Sequence, residues 1–574
     1  MRNARWAAAC GRIARHAAFA PLLAACLALC VGLVDLAKPL DRGMGGWQGA
    51  FFSLAARGYE THGALEHRGH PSIAIHGGRI SADDLRRAPD GAWVYANHPP
   101  VAPLLAWAST RCFAPAGWER REGVSGLEWM VRLPFLLLHA AGAALLLSFL
   151  RPATGEFGAC LGATLFCVAP VEVLYGSHPN FEHLALVPIL LALRAAWRAA
   201  WRIGGDGACI AWMALAGCTT WMPLFFAPGI ALVFATKRPW RAATRMGVAC
   251  GLACAAPLAL HVAAARGLEL EGGGAFERAL AVARPLELVA LWRSLLDWHG
   301  PLAWLLVATP LVAGLLALAA RRESKPGAWH GASARWIDAF APGFALCSGA
   351  SAYMLGFGRH ALEDNQGIFQ LAMAPGACAL VAGMPRGLAS LRDVLGGRLP
   401  RAARLAAATG LAWFALESAC ELGLKARWAR AAVHGAGAPD VDSSGEPPRA
   451  RPGLRALLAG GLDAPRARIA WRAAGGHWTR PAPSELGPRC AEATSAGELV
   501  AVPPQVHSEL SLAACAWRDL VVVELADAES WLRGGGERAY LVPREERALL
   551  AEATRVLGEG SGTPSIAAWR RSKD

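Results

Sequence analysis

Few positions in this chain carry chemistry, and they fall in polar segments between long apolar runs. Asp41 and Arg42 follow the first run. Ser53, Arg57 and Glu60 line one side of a helical pattern whose apolar residues recur at 47, 51, 54, 55 and 59. His98 lies in Tyr95-Ala-Asn-His-Pro-Pro-Val-Ala-Pro-Leu-Leu-Ala-Trp107, and Tyr175-Gly-Ser-His-Pro-Asn-Phe-Glu-His183 holds His178 and Glu182. Arg293 and His360 come later. A carboxylate takes a proton in a transfer reaction, a guanidinium grips phosphate through two parallel hydrogen bonds, and an imidazole donates to an oxyanion. The bland reading of each is a solvated loop residue or an interfacial anchor. His62, His67, His70 and His76 match no metal-ligand spacing and read as an ordinary polar loop, so no metal site is assigned.

The elements that must position these residues are membrane helices. The chain has 574 residues, of which 54% are hydrophobic and only 18% charged, against about 25% charged in a soluble domain. Trp is plentiful and Tyr scarce. The net charge of +13 comes almost wholly from Arg, with Lys only at 38, 237, 325, 425 and 573. That composition does not argue for nucleic acid as a partner. Most cysteines sit inside apolar runs, where they behave as small hydrophobes.

Apolar stretches of about 20 residues are candidate spans. They occur near 16–37, 133–150, 157–175, 184–201, 246–265, 300–320, 339–358, 367–385 and 403–420. The stretch 207–236 is uncharged and too long for one helix, and both its flanks are basic. Short basic loops stay cytoplasmic, so this stretch is expected to be a hairpin with its tip near Thr219, Thr220 and Trp221. The total is about eleven spans, with a cytoplasmic N-terminus and an external C-terminal segment. The expected fold is an all-α polytopic membrane protein carrying a small C-terminal α/β extracytoplasmic domain. Its divisions are a transmembrane domain over 1–424 with a first external loop at 38–128, a linker at 425–452 and the soluble domain at 453–574. In the soluble domain, Gly497–Val502 and Leu520–Leu525 read as strands, 527–533 and 544–557 as helices, with Ala539-Tyr-Leu-Val between them. No glycine-rich phosphate loop follows either strand. Cys490 and Cys515 lie in this segment, and an oxidising compartment would favour a disulfide there, contributing about 3 kcal/mol. The helical pattern at 47–59 suits a helix lying in the membrane surface.

The order of these motifs resembles a family. An acid after the first span, a W-x-x-A-x-x-x-x-A-A-R-type helix, an H-P-P-x-x-P-L-L segment and a V-R-L-P span entry follow one another. Trp221-Met-Pro-Leu-Phe-Phe-Ala-Pro and Phe369-Gln-Leu-Ala-Met-Ala-Pro375 come further on. This looks like the bacterial relatives of protein O-mannosyltransferases and lipid A aminoarabinose transferases, the C-fold (GT-C) glycosyltransferases, over roughly residues 20–400. The resemblance implies an enzyme of the bacterial inner membrane. It would move a sugar from a polyprenyl-phosphate donor to an envelope glycan, lipid or protein on the outer face, with inversion. It implies Asp41 as the general base with Glu182 as the alternative, and Arg57, His98, His178, Arg293 and His360 around the phosphate. Family members often carry the acid closer to the surface helix, where this chain has Gly46, Trp47, Gln48 and Gly49. No cofactor is assigned beyond the lipid-linked donor, and a divalent metal is left open. The competing readings are a transporter, and a non-catalytic envelope-assembly protein of the same fold.

Overall fold

The computed structural model describes residues 19–36, 43–73, 85–114 apart from Gly91, 127–269, 288–299, 303–322, 328–359, 366–394 and most of 490–570. They fall into two compact units. One comprises residues up to Asp35, Phe135–Leu260 and Glu277–Arg430; the other comprises Leu36–Pro134, His261–Phe276 and Ala431–Asp574.

The described part of the first unit is helical, as an apolar solvent demands, because a helix satisfies its own backbone hydrogen bonds. Every expected span coincides with a helix except 403–420, which lies outside the described residues. Among the described residues, five helices are long and apolar enough to cross a membrane: Trp129–Val168, Phe181–Ala200, Trp240–Arg266, His330–Gly358 and Phe369–Asp393. The two expected spans 133–150 and 157–175 are separated by a sharp bend at Gly155, whose φ of 78° is open to glycine. The 207–236 stretch is broken as expected. The helix Asp206–Gly217 ends where Thr219 Oγ bonds back to the Ala216 carbonyl at 2.6 Å, and Pro223 then opens a short 3-10 turn leading into the helix Ala227–Ala235. The helices Ala328–Arg359 and Gln366–Val394 pack through small residues. A Cβ on Gly376 would lie 2.6 Å from Cys347 Sγ, and one on Gly343 2.7 Å from Leu380. Close backbone approach of this kind holds helices together where lipid removes the hydrophobic drive.

In the second unit, helices Gly43–His62 and Val101–Phe113 pack side by side. The first was expected to have a polar face, but Ser53 is fully buried and bonds to the Gly49 carbonyl at 2.8 Å. The helix is buried all round from Gln48 to Ala56, with Glu60 accepting from Trp107 Nε1 at 2.7 Å. It is therefore a core helix, with Ser53 satisfied locally and Glu60 by its neighbour. A small antiparallel sheet in the order Ser72–Ile73, Trp93–Tyr95, Leu85–Arg87 follows it. The C-terminal residues form a five-stranded mixed sheet. Leu499–Val502 lies between Asp519–Val522 and Arg538–Pro543, parallel to both, and Ile566–Arg570 and Ser561–Gly562 extend it antiparallel. The helices Ala528–Leu532 and Arg547–Leu557 fall where the pattern put them. Cys490 is buried, while Cys515 and the linker lie outside the described residues.

His67 and His70 correct the expectation of an ordinary polar loop. His67 Nε2 is 2.8 Å from Asp90 Oδ2, and His70 Nδ1 donates to the His67 carbonyl at 3.1 Å. His70 Nε2 lies 3.1 Å from His261 Nδ1, and a neutral His70 with its proton on Nδ1 accepts there. Burial pushes the His70 pKa below 6.5. Because the folded value is the lower one, the unfolded chain takes up the proton first. Stability present above about pH 6.5 is therefore lost as pH falls toward the folded value. Amide protection across residues 63–73, taken relative to intrinsic exchange at each pH, should fall between pH 7.5 and pH 5, and His70→Gln should flatten that dependence. An unchanged pH response in the variant would remove His70 as its source.

Candidate functional site

The segment from Pro170 to His183 builds the most connected polar cluster among the described residues of the first unit. A short helix, Pro170–Tyr175, carries Glu172. Gly176 ends it; a Cβ there would lie 3.2 Å from the His139 ring, so glycine lets that imidazole rest against the backbone. Asn180, in extended backbone, caps the helix Phe181–Ala200: its Oδ1 accepts from the His183 N–H at 2.7 Å. Caps of this type contribute about 1 kcal/mol. Its Nδ2 donates to the His178 carbonyl at 2.8 Å and lies 2.9 Å from His183 Nδ1.

On the first turn of the capped helix, His183 reaches back to Glu172. Nε2 lies 2.9 Å from Glu172 Oε2. His139, from the helix Leu127–Val168, brings Nδ1 to 3.1 Å from the same oxygen. All three residues are 1% exposed. The donor atoms of the trio lie within 4.8 Å of one another, which a metal ion could bridge. Glu172 Oε1 is buried with no hydrogen-bond partner among the described residues.

Glu182, one residue before His183, is also buried. Its Oε1 accepts from Tyr353 Oη at 3.2 Å. Tyr353 sits among Phe225, Phe357 and Phe369, with ring centroids 4.9–5.7 Å away. His178 is buried in the same turn. The structure therefore brings His178 and Glu182 together on one short segment. Arg57 and His98 are half-buried in the other unit, where His98 stacks on Tyr95 with centroids 6.1 Å apart. Asp41, His360 and the Arg293 side chain lie outside the described residues. Sequence reasoning missed the trio. Glu172 is an acid within the apolar stretch 157–175, but His139 is a lone imidazole in an apolar run, and nothing local links it to residues 172 and 183.

No protein-family model matches the chain, and no curated protein does. Solved structures do. The chain has the polytopic fold of the C-fold membrane glycosyltransferases. The similarity is to ArnT from Cupriavidus metallidurans bound to undecaprenyl phosphate, at 14% identity and a TM-score of 0.52, covering 95% of this chain and 97% of that one. The apo state of that ArnT gives 15% identity, a TM-score of 0.48 and the same coverage. The Archaeoglobus fulgidus oligosaccharyltransferase in its apo form gives 11% identity and a TM-score of 0.43, covering 97% of this chain and 74% of that one. Sequence identity this low carries the fold and leaves the activity to be argued from the site.

Removing one partner of a buried charge leaves the other uncompensated, typically at about 3–5 kcal/mol. His183→Ala should lower the unfolding free energy of the detergent-solubilised protein by about that amount, read from denaturant titration. A loss below about 1 kcal/mol would show that Glu172 does not depend on His183.

Proposed function

We propose that this chain is an integral-membrane glycosyltransferase of the bacterial inner membrane. It moves a sugar from a polyprenyl-phosphate donor to an envelope glycan, lipid or protein on the outer face, with inversion. The observation that carries the reading is the likeness to an undecaprenyl-phosphate-bound ArnT over almost the whole of both chains. The motif order from Asp41 to Phe369 supports it independently. On this reading the N-terminus is cytoplasmic and the C-terminal α/β unit extracytoplasmic.

The chemistry requires a carboxylate to take the acceptor's proton while the lipid phosphate leaves among cations. Asp41 is the first candidate for the base. It follows the first apolar run closely in the sequence, and Arg42 is the next residue. Glu182 is the second candidate. Its burial and its bond to Tyr353 mean that Tyr353 must turn aside before an acceptor hydroxyl reaches the carboxylate. Arg57, His98, His178, Arg293 and His360 are proposed to surround the phosphate, Arg57 and Arg293 by bidentate contact and the histidines as donors.

Membranes containing the chain should transfer label from a polyprenyl-phosphate sugar to an envelope fraction. Asp41→Asn keeps size but takes no proton, so transfer should fall by about 10²–10⁴-fold while the protein still inserts. Glu182→Gln should cost much less. The reverse order would move the base to Glu182, and no transfer by the unaltered chain would favour a non-catalytic protein of the same fold.

A further inference from the structure

We propose that Asn180 makes His139, Glu172 and His183 a proton-bearing clamp and closes the trio to a divalent cation. The donor set alone suggests the opposite: two imidazoles and a carboxylate are a ligand set that zinc takes with its fourth position open. The protons decide. Asn180 Oδ1 accepts from the His183 N–H at 2.7 Å. Nδ2 donates one hydrogen to the His178 carbonyl, at 2.8 Å; for the other, His183 Nδ1 at 2.9 Å is much nearer than the Tyr175 carbonyl at 3.5 Å. Turning the amide over would set Nδ2 against a backbone N–H and Oδ1 against a carbonyl, so the orientation is fixed by its neighbours. His183 Nδ1 therefore accepts. The neutral ring carries its proton on Nε2, and that N–H donates to Glu172 Oε2 at 2.9 Å.

A metal on His183 Nε2 would force this proton onto Nδ1, where Asn180 offers only another N–H. Metal-bound histidines have the reverse arrangement, donating their second N–H to a carboxylate or carbonyl. The spacing agrees. Separations of 2.9 and 3.1 Å between the imidazole nitrogens and Glu172 Oε2 are hydrogen-bond lengths. Ligand bonds of about 2.0–2.1 Å to one tetrahedral ion would hold the donors about 3.3–3.4 Å apart. Asn180 thus acts as a positioning residue. One carboxamide sets the His183 tautomer, caps the helix and fixes the turn that presents His178 and Glu182.

The test uses the full chain purified in detergent with ¹⁵N-labelled histidine, the His183 signals being assigned by their absence from His183→Gln. Nδ1 should show the unprotonated shift and Nε2 the protonated one; the opposite pattern overturns the proposal. Zinc per chain is then measured after dialysis against the ion, with and without Glu172→Gln. In the unaltered chain Glu172→Gln should change nothing. Asn180→Asp offers an acceptor to an Nδ1 proton, so it should gain one Glu172-dependent zinc, bound about 10–100-fold more tightly than by the parent chain. Glu172-dependent zinc in the unaltered chain overturns the proposal, as does a folded Asn180→Asp chain that gains none. Should that variant not fold, the tautomer decides alone. No readout involves sugar transfer, so the proposal stands or falls apart from the glycosyltransferase reading.

Discussion

A carboxylate that is 1% exposed in an apolar helical bundle has to be hydrogen-bonded, and Glu172 sets the terms for everything around it. Isolated burial of such a group costs far more than a small protein's net stability. His183, from the helix Phe181–Ala200, answers that demand with a hydrogen bond, and His139, from the helix Leu127–Val168, lies 3.1 Å from the same oxygen. Each in turn imposes a local requirement. His139 needs a residue without a side chain at Gly176. His183 needs the first turn of its helix held still, which the Asn180 cap does. The geometry of the Tyr175–His183 segment thus follows from one buried charge.

The same accounting applies to two further polar side chains among the described residues of the first unit. Gln370 accepts from His299 Nε2 and donates to Ser294 Oγ, both at 2.8 Å, so its carboxamide is used at both ends. Asp338 pairs with Lys237 at 2.7 Å. The Gln370 contacts join two helices and the Lys237 pair ties a turn to a helix, in each case between segments far apart in sequence, and each is specific where apolar contact is not. The small residues between Ala328–Arg359 and Gln366–Val394 supply closeness, and the polar pairs supply register.

The spans were legible because their signals are local. Run length, basic flanks and helix breakers lie within one segment, and at 207–236 the length of the run and its basic flanks called for a break, which falls between Gly217 and Met222. The C-terminal strands Leu499–Val502 and Asp519–Val522 were legible for the same reason, whereas Ser561–Gly562 and Ile566–Arg570 were not read. The first-loop sheet was not, because strands of two or three residues carry no readable alternation. Nor was the burial of Ser53, whose hydroxyl satisfies itself on the preceding turn and so needs no water. His67 and His70 looked like solvated residues because their partners, Asp90 and His261, are distant in sequence. The trio failed to appear for a related reason. Glu172 and His139 lie in different apolar runs, and a lone histidine in such a run gives no sign of what it faces.

Glu182 and His183 show how the buried network bears on chemistry. Neighbouring residues on a helix point about 100° apart, so with His183 fixed on Glu172, the direction of Glu182 is fixed as well, toward Tyr353. The carboxylate that could act is therefore aimed by the carboxylate that cannot. Fold likeness at 14% identity could not have shown this, because the arrangement depends on side chains that a fold does not specify. A change at Asn180 acts on both acids, since it holds the backbone of one and the proton of the other's partner.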